Sequence, residues 1–166
     1  MFLTWTLHGS LPASRFPPPG SWKSGQSFAW TDRYLDSTRK GPLWLKRPEI
    51  AGIVETSILF GESTLMNYDV EAYVVMANHV HLLIWPRTQP SGLLRQLKSF
   101  TARECNKVLG LTGQPFWQRE SYDHWVRNDQ ELRRIAGYIE GNPVRAGIVK
   151  TPEEFRWSSA WRRAHS

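Results

Sequence analysis

Apolar residues recur along this chain with two different periods, which divide it into elements. Alternation over residues 2–8 (FLTWTLH) predicts an opening strand. Residues 9–27 are rich in Pro, Gly and Ser, with Pro17, Pro18 and Pro19 in succession, and read as a loop. Residues 28–47 hold Trp30, Tyr34 and Trp44 among charges without a clean period. Pro48 stands where a helix can begin, and Ile50, Ile53, Val54, Ile58 and Leu59 follow at helical spacing up to Gly61. Residues 68–86 (YDVEAYVVMANHVHLLIWP) read as two strands, or one interrupted strand, bounded by Pro86. Residues 91–109 give the clearest amphipathic helix. At about 100° per residue, Leu93, Leu94, Leu97, Phe100, Cys105 and Val108 share one broad face, and Arg95, Lys98, Arg103 and Lys107 spread over the other. A strand-like stretch over residues 115–127 follows, and Asp129 opens a helix to about Asn142, closed by Pro143 and Gly147.

Strand, helix, strand pair, helix, strand and helix, with no internal repeat, predict an α+β fold. Its expected form is an antiparallel sheet with helices packed mainly on one face. The 166 residues fit one domain over 1–166, with 9–47 as an atypical segment and 151–166 as a short basic, aromatic tail. No apolar run approaches the roughly 20 residues of a membrane span, and MFLTWTLHGS lacks the regions of a signal peptide. One cysteine, Cys105, excludes an internal disulfide and a cysteine-based zinc site. A cytoplasmic protein is expected. The net charge of +6 and nine tryptophans suit a polyanion with unstacked bases, although many ordinary proteins carry a similar excess and most tryptophans pack in cores.

The chemistry concentrates in two places. His79 and His81 are one residue apart, so in a strand both imidazoles project from one face with Leu83 and Trp85, while Val80, Leu82 and Ile84 line the other. Two neutral imidazoles suit a divalent metal, which then needs a third ligand from elsewhere. Two histidines at a strand entry also serve simply to satisfy local hydrogen bonds. The apolar flanks favour the metal, because burying imidazoles costs free energy unless they are bonded or liganded. Tyr138 and Asn142, four residues apart on the last helix, border its apolar stripe. An amide carbonyl suits Mg²⁺ or Mn²⁺. Equally, Tyr138 reads as a core-edge residue and Asn142 as a helix cap.

VVMANHVHLLIWP, FWQRESYDHWVRN, YIEGNPVRAGIV and WSSAW occur in this order. Over residues 68–160 the chain resembles the REP-associated tyrosine transposases, a branch of the single-tyrosine HUH transposase-like nucleases. The resemblance implies a ferredoxin-like HUH nuclease fold. Its histidine pair maps onto His79 and His81, its nucleophile onto Tyr138 and its third metal ligand onto Asn142. It further implies metal-dependent cleavage and joining of single-stranded DNA beside a hairpin, through a 5′-phosphotyrosine, in a bacterial cytoplasm on nucleoid DNA. The N-terminal third departs from the family pattern: Leu7 and His8 stand where a Tyr-His-like pair is usual, and a Pro-rich loop follows.

A phenol with an ordinary pKa of about 10 needs a metal or base to lose its proton. Asp123 and His124 are candidates for that base, and also for strand-end hydrogen bonds. For DNA contact, Arg95, Lys98, Arg103, Lys107 and Arg119 are the candidates, with Arg127, Arg162, Arg163 and a stacking Trp117 behind them; an ordinary solvated face accounts for them equally. A domesticated, catalytically silent protein that binds structured DNA, and a metal phosphoesterase using water, are the competing functions. Monomer and homodimer both fit.

Overall fold

The first strand, β1 (Phe2–Leu7), is buried along its whole length because it lies inside the sheet. In the computed structural model, which describes residues 1–10, 35 and 41–166, β1 is followed by a 3₁₀ turn (Trp44–Lys46) and α1 (Pro48–Ser63). Then come β2 (Tyr68–Val75), β3 (His79–Pro86), α2 (Pro90–Leu109) and β4 (Trp117–His124). The chain ends with α3 (Asp129–Glu140), the short α4 (Asn142–Arg145), a 3₁₀ turn (Pro152–Glu154) and α5 (Ser159–Ala164). Most of the expected loop over 9–27 and of the irregular stretch over 28–47 lies outside the described residues.

The sheet has the order β2-β3-β1-β4 with every neighbouring pair antiparallel. With the sequence β1-α1-β2-β3-α2-β4, this is the ferredoxin-like arrangement, α+β as the periods predict. Alternation then gives the sheet two different faces. Leu3, Trp5 and Leu7 join Val80, Leu82 and Ile84 under α1 and α2, whose Ile50, Val54, Ile58, Leu93 and Cys105 close that core. Phe2, Ala72, Val74, Met76 and Leu83 face the other way, under Ile135 and Ile139 of α3. The two long helices therefore share one face, and α3 alone covers the other.

Two details of α2 differ from its predicted face. Phe100 and Val108 are each 48% exposed, whereas Thr101 and Asn106 are buried. Both polar side chains carry hydrogen bonds inside with them. The Thr101 hydroxyl donates to the Leu97 carbonyl and accepts from the Trp117 indole, and the Asn106 amide donates to the Gln114 carbonyl. Burial also raises the Cys105 thiol to about 12, so it stays protonated and inert at neutral pH.

Helix α1 meets β2 through a glycine. The Tyr68 hydroxyl donates to the Ile58 carbonyl at 2.8 Å, which lays the phenol ring directly over Gly61. A Cβ at position 61 would lie 2.6 Å from the ring Cζ. Gly61→Ala is thus expected to destabilise the fold by about 1–3 kcal/mol through overpacking, against the roughly 1 kcal/mol that alanine normally gains in a helix. Urea denaturation decides the sign, and a more stable variant would refute this packing.

Candidate functional site

The α3 face of the sheet holds the two histidines. Residues of β3 with odd numbers point there, so His79 lies opposite Thr6, and His81 opposite Thr4 on one side and Val74 on the other. Both imidazoles are fully buried, with ring centroids 4.7 Å apart. Each is held by its Nδ1. The Thr4 hydroxyl lies 2.8 Å from Nδ1 of His81. Asn78 Oδ1 lies 2.7 Å from Nδ1 of His79. The Asn78 amide nitrogen donates to the Leu35 carbonyl at 2.9 Å, so its oxygen is the end turned to the ring. Nδ1 of His79 is therefore the donor, and the ring lone pair sits on Nε2, the tautomer a metal ligand requires. Sequence reading missed both anchors; an amide next to the first histidine, and a hydroxyl on the even positions of β1, were the available signals.

Helix α3 brings the tyrosine to this face. Its first turn is fixed by Asn128, whose side chain accepts from the Glu131 amide at 2.9 Å. Three turns on, Ile135 and Ile139 enter the core beside Ala72, Val74 and Leu83. Tyr138, next to Ile139, sits at the rim of that core with its ring 6.2 Å from the His81 ring. The helix stops at Glu140, earlier than the periodicity predicts. Gly141 keeps helical dihedrals (φ −76°, ψ −3°), so Asn142 opens α4 in nearly unbroken register and is buried. Asn142 is consequently an inward polar residue at the start of α4, and Gly141 occupies the capping position of α3.

Two imidazole nitrogens and an amide oxygen form a donor set that fits Mg²⁺ or Mn²⁺. Among the described residues no group of three His, Cys, Asp or Glu is placed to hold a metal. None of the three side chains brings a negative charge. A cation held by them keeps its full charge for a bound anion.

The candidate base Asp123 is placed elsewhere. Its register with Leu3 turns it to the α2 face, where it lines a groove of about 900 Å³ between α2 and β4. His124 does face α3, but its Nε2 lies 3.0 Å from Glu131, a carboxyl held below the usual range first by the Arg127 amide and then by this pairing. The basic candidates also separate. Arg95, Lys98 and Arg119 line the groove. The Lys98 ammonium donates to the Gln118 and Arg119 carbonyls at 2.8 and 3.1 Å, and burial lowers its pKa. Arg103 and Lys107 both pair with Glu104, which explains that acid next to the apolar face. Arg127 is exposed on the loop before α3, Arg162 is exposed on α5, and Arg163 pairs with Glu140 at 2.6 Å. Trp117 is a core residue, edge-on to Trp5, with its indole bonded to Thr101; the open indole by the groove is Trp125, 57% exposed. His8 lies exposed just past β1, its amide bonded to the Phe116 carbonyl.

Comparison with known proteins identifies a family and a shared fold. The family described as "Transposase IS200 like" matches residues 57–142, a stretch that takes in His79, His81, Tyr138 and Asn142. A REP-associated tyrosine transposase of Escherichia coli K12 is 31% identical over 101 residues, 57% of this chain and 56% of the relative. A second relative, from Haemophilus influenzae and named a putative REP-associated tyrosine transposase, is 26% identical over 107 residues, 57% of this chain and 60% of its own length. The chain thus spans somewhat over half the length of these curated relatives. A solved structure of a REP-associated tyrosine transposase bound to a REP hairpin matches with a TM-score of 0.61 at 19% identity, over 99% of this chain and 78% of that one. That likeness establishes a shared fold.

If the Thr4 hydroxyl orients His81 as a ligand, Thr4→Val is expected to weaken Mn²⁺ binding about 10- to 100-fold while the fold is kept. Isothermal titration with Mn²⁺, beside circular dichroism, measures this. Unchanged affinity in a folded variant would remove Thr4 from the site.

Proposed function

Because this chain belongs to the IS200-like transposase family, we propose that it is a metal-dependent endonuclease and strand-transferase acting on single-stranded DNA beside a hairpin. The observation that carries the reading is the approach of a helix-borne tyrosine to a pair of buried, Nδ1-anchored histidines on one sheet face. The names of the similar proteins support the class, and the hairpin in the similar solved structure supports the substrate.

The residues divide the work as follows. His79, His81 and Asn142 would hold a divalent cation, Mg²⁺ or Mn²⁺, which would polarise the scissile phosphate and offset charge developing on its oxygens. Tyr138 supplies the nucleophile. Its phenolic oxygen forms a bond to phosphorus as the bond from phosphorus to the 3′ oxygen breaks, leaving a 5′-phosphotyrosine. The phenol gives up its proton, the departing 3′ oxygen gains one, and the product strand ends in a 3′ hydroxyl. One phosphodiester replaces another, so the same hydroxyl can attack in reverse and join strands. Thr4 and Asn78 keep the imidazoles from rotating, and the packing of Ile139 fixes the height of Tyr138 above the sheet.

DNA reaches this face from around the β4 edge. Arg95 and Arg119 in the α2–β4 groove, with Trp125 beside them, supply charge and a stacking surface. Lys98, already committed to two carbonyls, contributes charge to the groove, and Arg103 contributes through a guanidinium shared with Glu104.

The experiment is denaturing electrophoresis of the protein with labelled single-stranded hairpin DNA, in Mg²⁺, Mn²⁺ or EDTA. Wild type is expected to form a metal-dependent covalent adduct, and Tyr138→Phe to form none while still binding the hairpin. An adduct that persists in the variant would exclude Tyr138 as nucleophile. Salt-sensitive binding without any adduct would favour a silent DNA-binding protein.

A further inference from the structure

The cation nearest Tyr138 is one that the motif reading of the chain did not assign. Arg145, in the last turn of α4, folds back along the helix junction, and its guanidinium carbon lies 4.1 Å from the centroid of the Tyr138 ring. Its Nη2 donates to the Tyr138 carbonyl at 2.5 Å. One side chain thus grips the same residue twice, by ring face and by backbone.

The junction is shaped for this contact. The return path crosses Gly141, where a Cβ would lie 3.0 Å from Nη1 of Arg145 and 3.0 Å from the Gly137 carbonyl. Glycine leaves the room through which the guanidinium passes. Other arginines of the molecule are fixed by acids: Arg87 by Asp69, Arg156 by Glu55 and Arg163 by Glu140. Among the described residues no carboxylate forms an ion pair with Arg145, which stays exposed and keeps its charge. A planar guanidinium suits the stacking role; an ammonium would keep the charge and lose the plane.

We propose that Arg145 is a positioning residue that sets the orientation of the Tyr138 ring. The inference rests on the reading of Tyr138 as the nucleophile for its consequence in catalysis, but the ring contact itself is independent of that reading. Tyr138 stands at the rim of the core, with His81 against one part of the ring and solvent beyond it. Ile139 fixes the backbone, and the orientation of the ring is set by its rotations about the side-chain bonds. With Arg145 across the ring those rotations are restricted before DNA arrives. Misplacement of a reacting group by about 1 Å costs on the order of 100-fold in rate.

The test has two arms on the full chain. In the first, 3-fluorotyrosine is incorporated, and the Tyr138 ¹⁹F resonance is assigned among five tyrosines with Tyr138→Phe. Arg145→Lys and Arg145→Ala are expected to move that resonance and leave the others in place. A resonance that does not move overturns the inference whether or not the protein cleaves DNA. In the second arm, single-turnover adduct formation at saturating hairpin DNA is expected to fall about 10- to 100-fold in Arg145→Ala. Hairpin affinity should be nearly unchanged, the rate partly restored by methylguanidinium, and Arg145→Lys should not substitute fully. A rate that is unaffected, or that falls only in step with affinity, overturns the positioning role. Absence of adduct in wild type would instead count against the nucleophile reading and leave the first arm to decide the ring contact.

Discussion

The packing of α3 onto the otherwise uncovered face of the sheet is the constraint on which the site depends. A ferredoxin-like sheet with α1 and α2 on one side leaves Phe2, Ala72, Val74 and Leu83 on the other, and these need a cover. Ile135 and Ile139 provide it. Burying such a side chain contributes about 1.5–3 kcal/mol, enough for the two isoleucines to fix the helix on the sheet. The small side chain of Ala72 belongs to the surface on which the helix rests. Once α3 is seated, position 138 lies at the rim of the apolar core, half-buried, with its ring 6.2 Å from that of His81. The neighbouring imidazoles are acceptable in the same layer because Thr4 and Asn78 meet their Nδ1 atoms, which offsets the cost of removing them from water.

Much of this was legible in the sequence because it follows from period. Two-residue spacing put His79 and His81 on one face. The four-residue spacing of Tyr138 and Asn142 instead spans the end of α3, with Gly141 in αR conformation between them and Asn142 buried at the start of α4. What the sequence concealed depends on neighbours that are distant in the chain. Trp117 reads as a base platform until Trp5 and Thr101 are seen to enclose it. Lys98 reads as a free cation on the polar face of α2, yet β4 places two carbonyls within reach of its ammonium. Phe100 has the right phase for burial, yet among the described residues it stays half exposed, while Thr101 goes inside with its hydroxyl bonded to Leu97 and Trp117 and Asn106 with its amide nitrogen bonded to Gln114. Arg145 was hidden for a related reason: its target is reached only by passing over a residue without a side chain.

The tail gives the site a second support. Trp157 and Ser158 extend the β2 edge, with the Val75 amide bonded to the Trp157 carbonyl and a bridge from Val74 to Ser158. The Ser159 hydroxyl donates to the Glu140 carboxylate at 2.6 Å and accepts from the Tyr73 amide at 3.0 Å. Arg163 meets the same carboxylate. The last residue of α3 is thereby tied to the edge strand through α5. Arg156 completes the attachment from the other side, stacked between Trp157 and Trp161 at 4.5 and 4.1 Å while bonding Glu55 of α1. The WSSAW segment therefore fastens three layers, α1, the sheet and α3, at one edge.

The opposite edge is built differently, and the contrast bears on how a polyanion could use the molecule. β4 pairs on one side only, with β1, and its alternation sends Arg119, Ser121 and Asp123 into the α2 groove and Tyr122 and His124 toward α3. Charge in the groove and donors without negative charge on the α3 face then have complementary roles. The basic residues attract phosphate without regard to sequence, at long range and in a salt-dependent way, while the imidazoles and the amide add no negative charge to repel it at the point of reaction. A carboxylate in place of Asn142 would bind a cation more tightly but neutralise part of the charge that acts on phosphate. Under the function proposed above, donors that bring no negative charge, beside the exposed guanidinium of Arg145, would leave the electrostatic work to cationic groups on both the forward and the return path of a phosphotyrosine link.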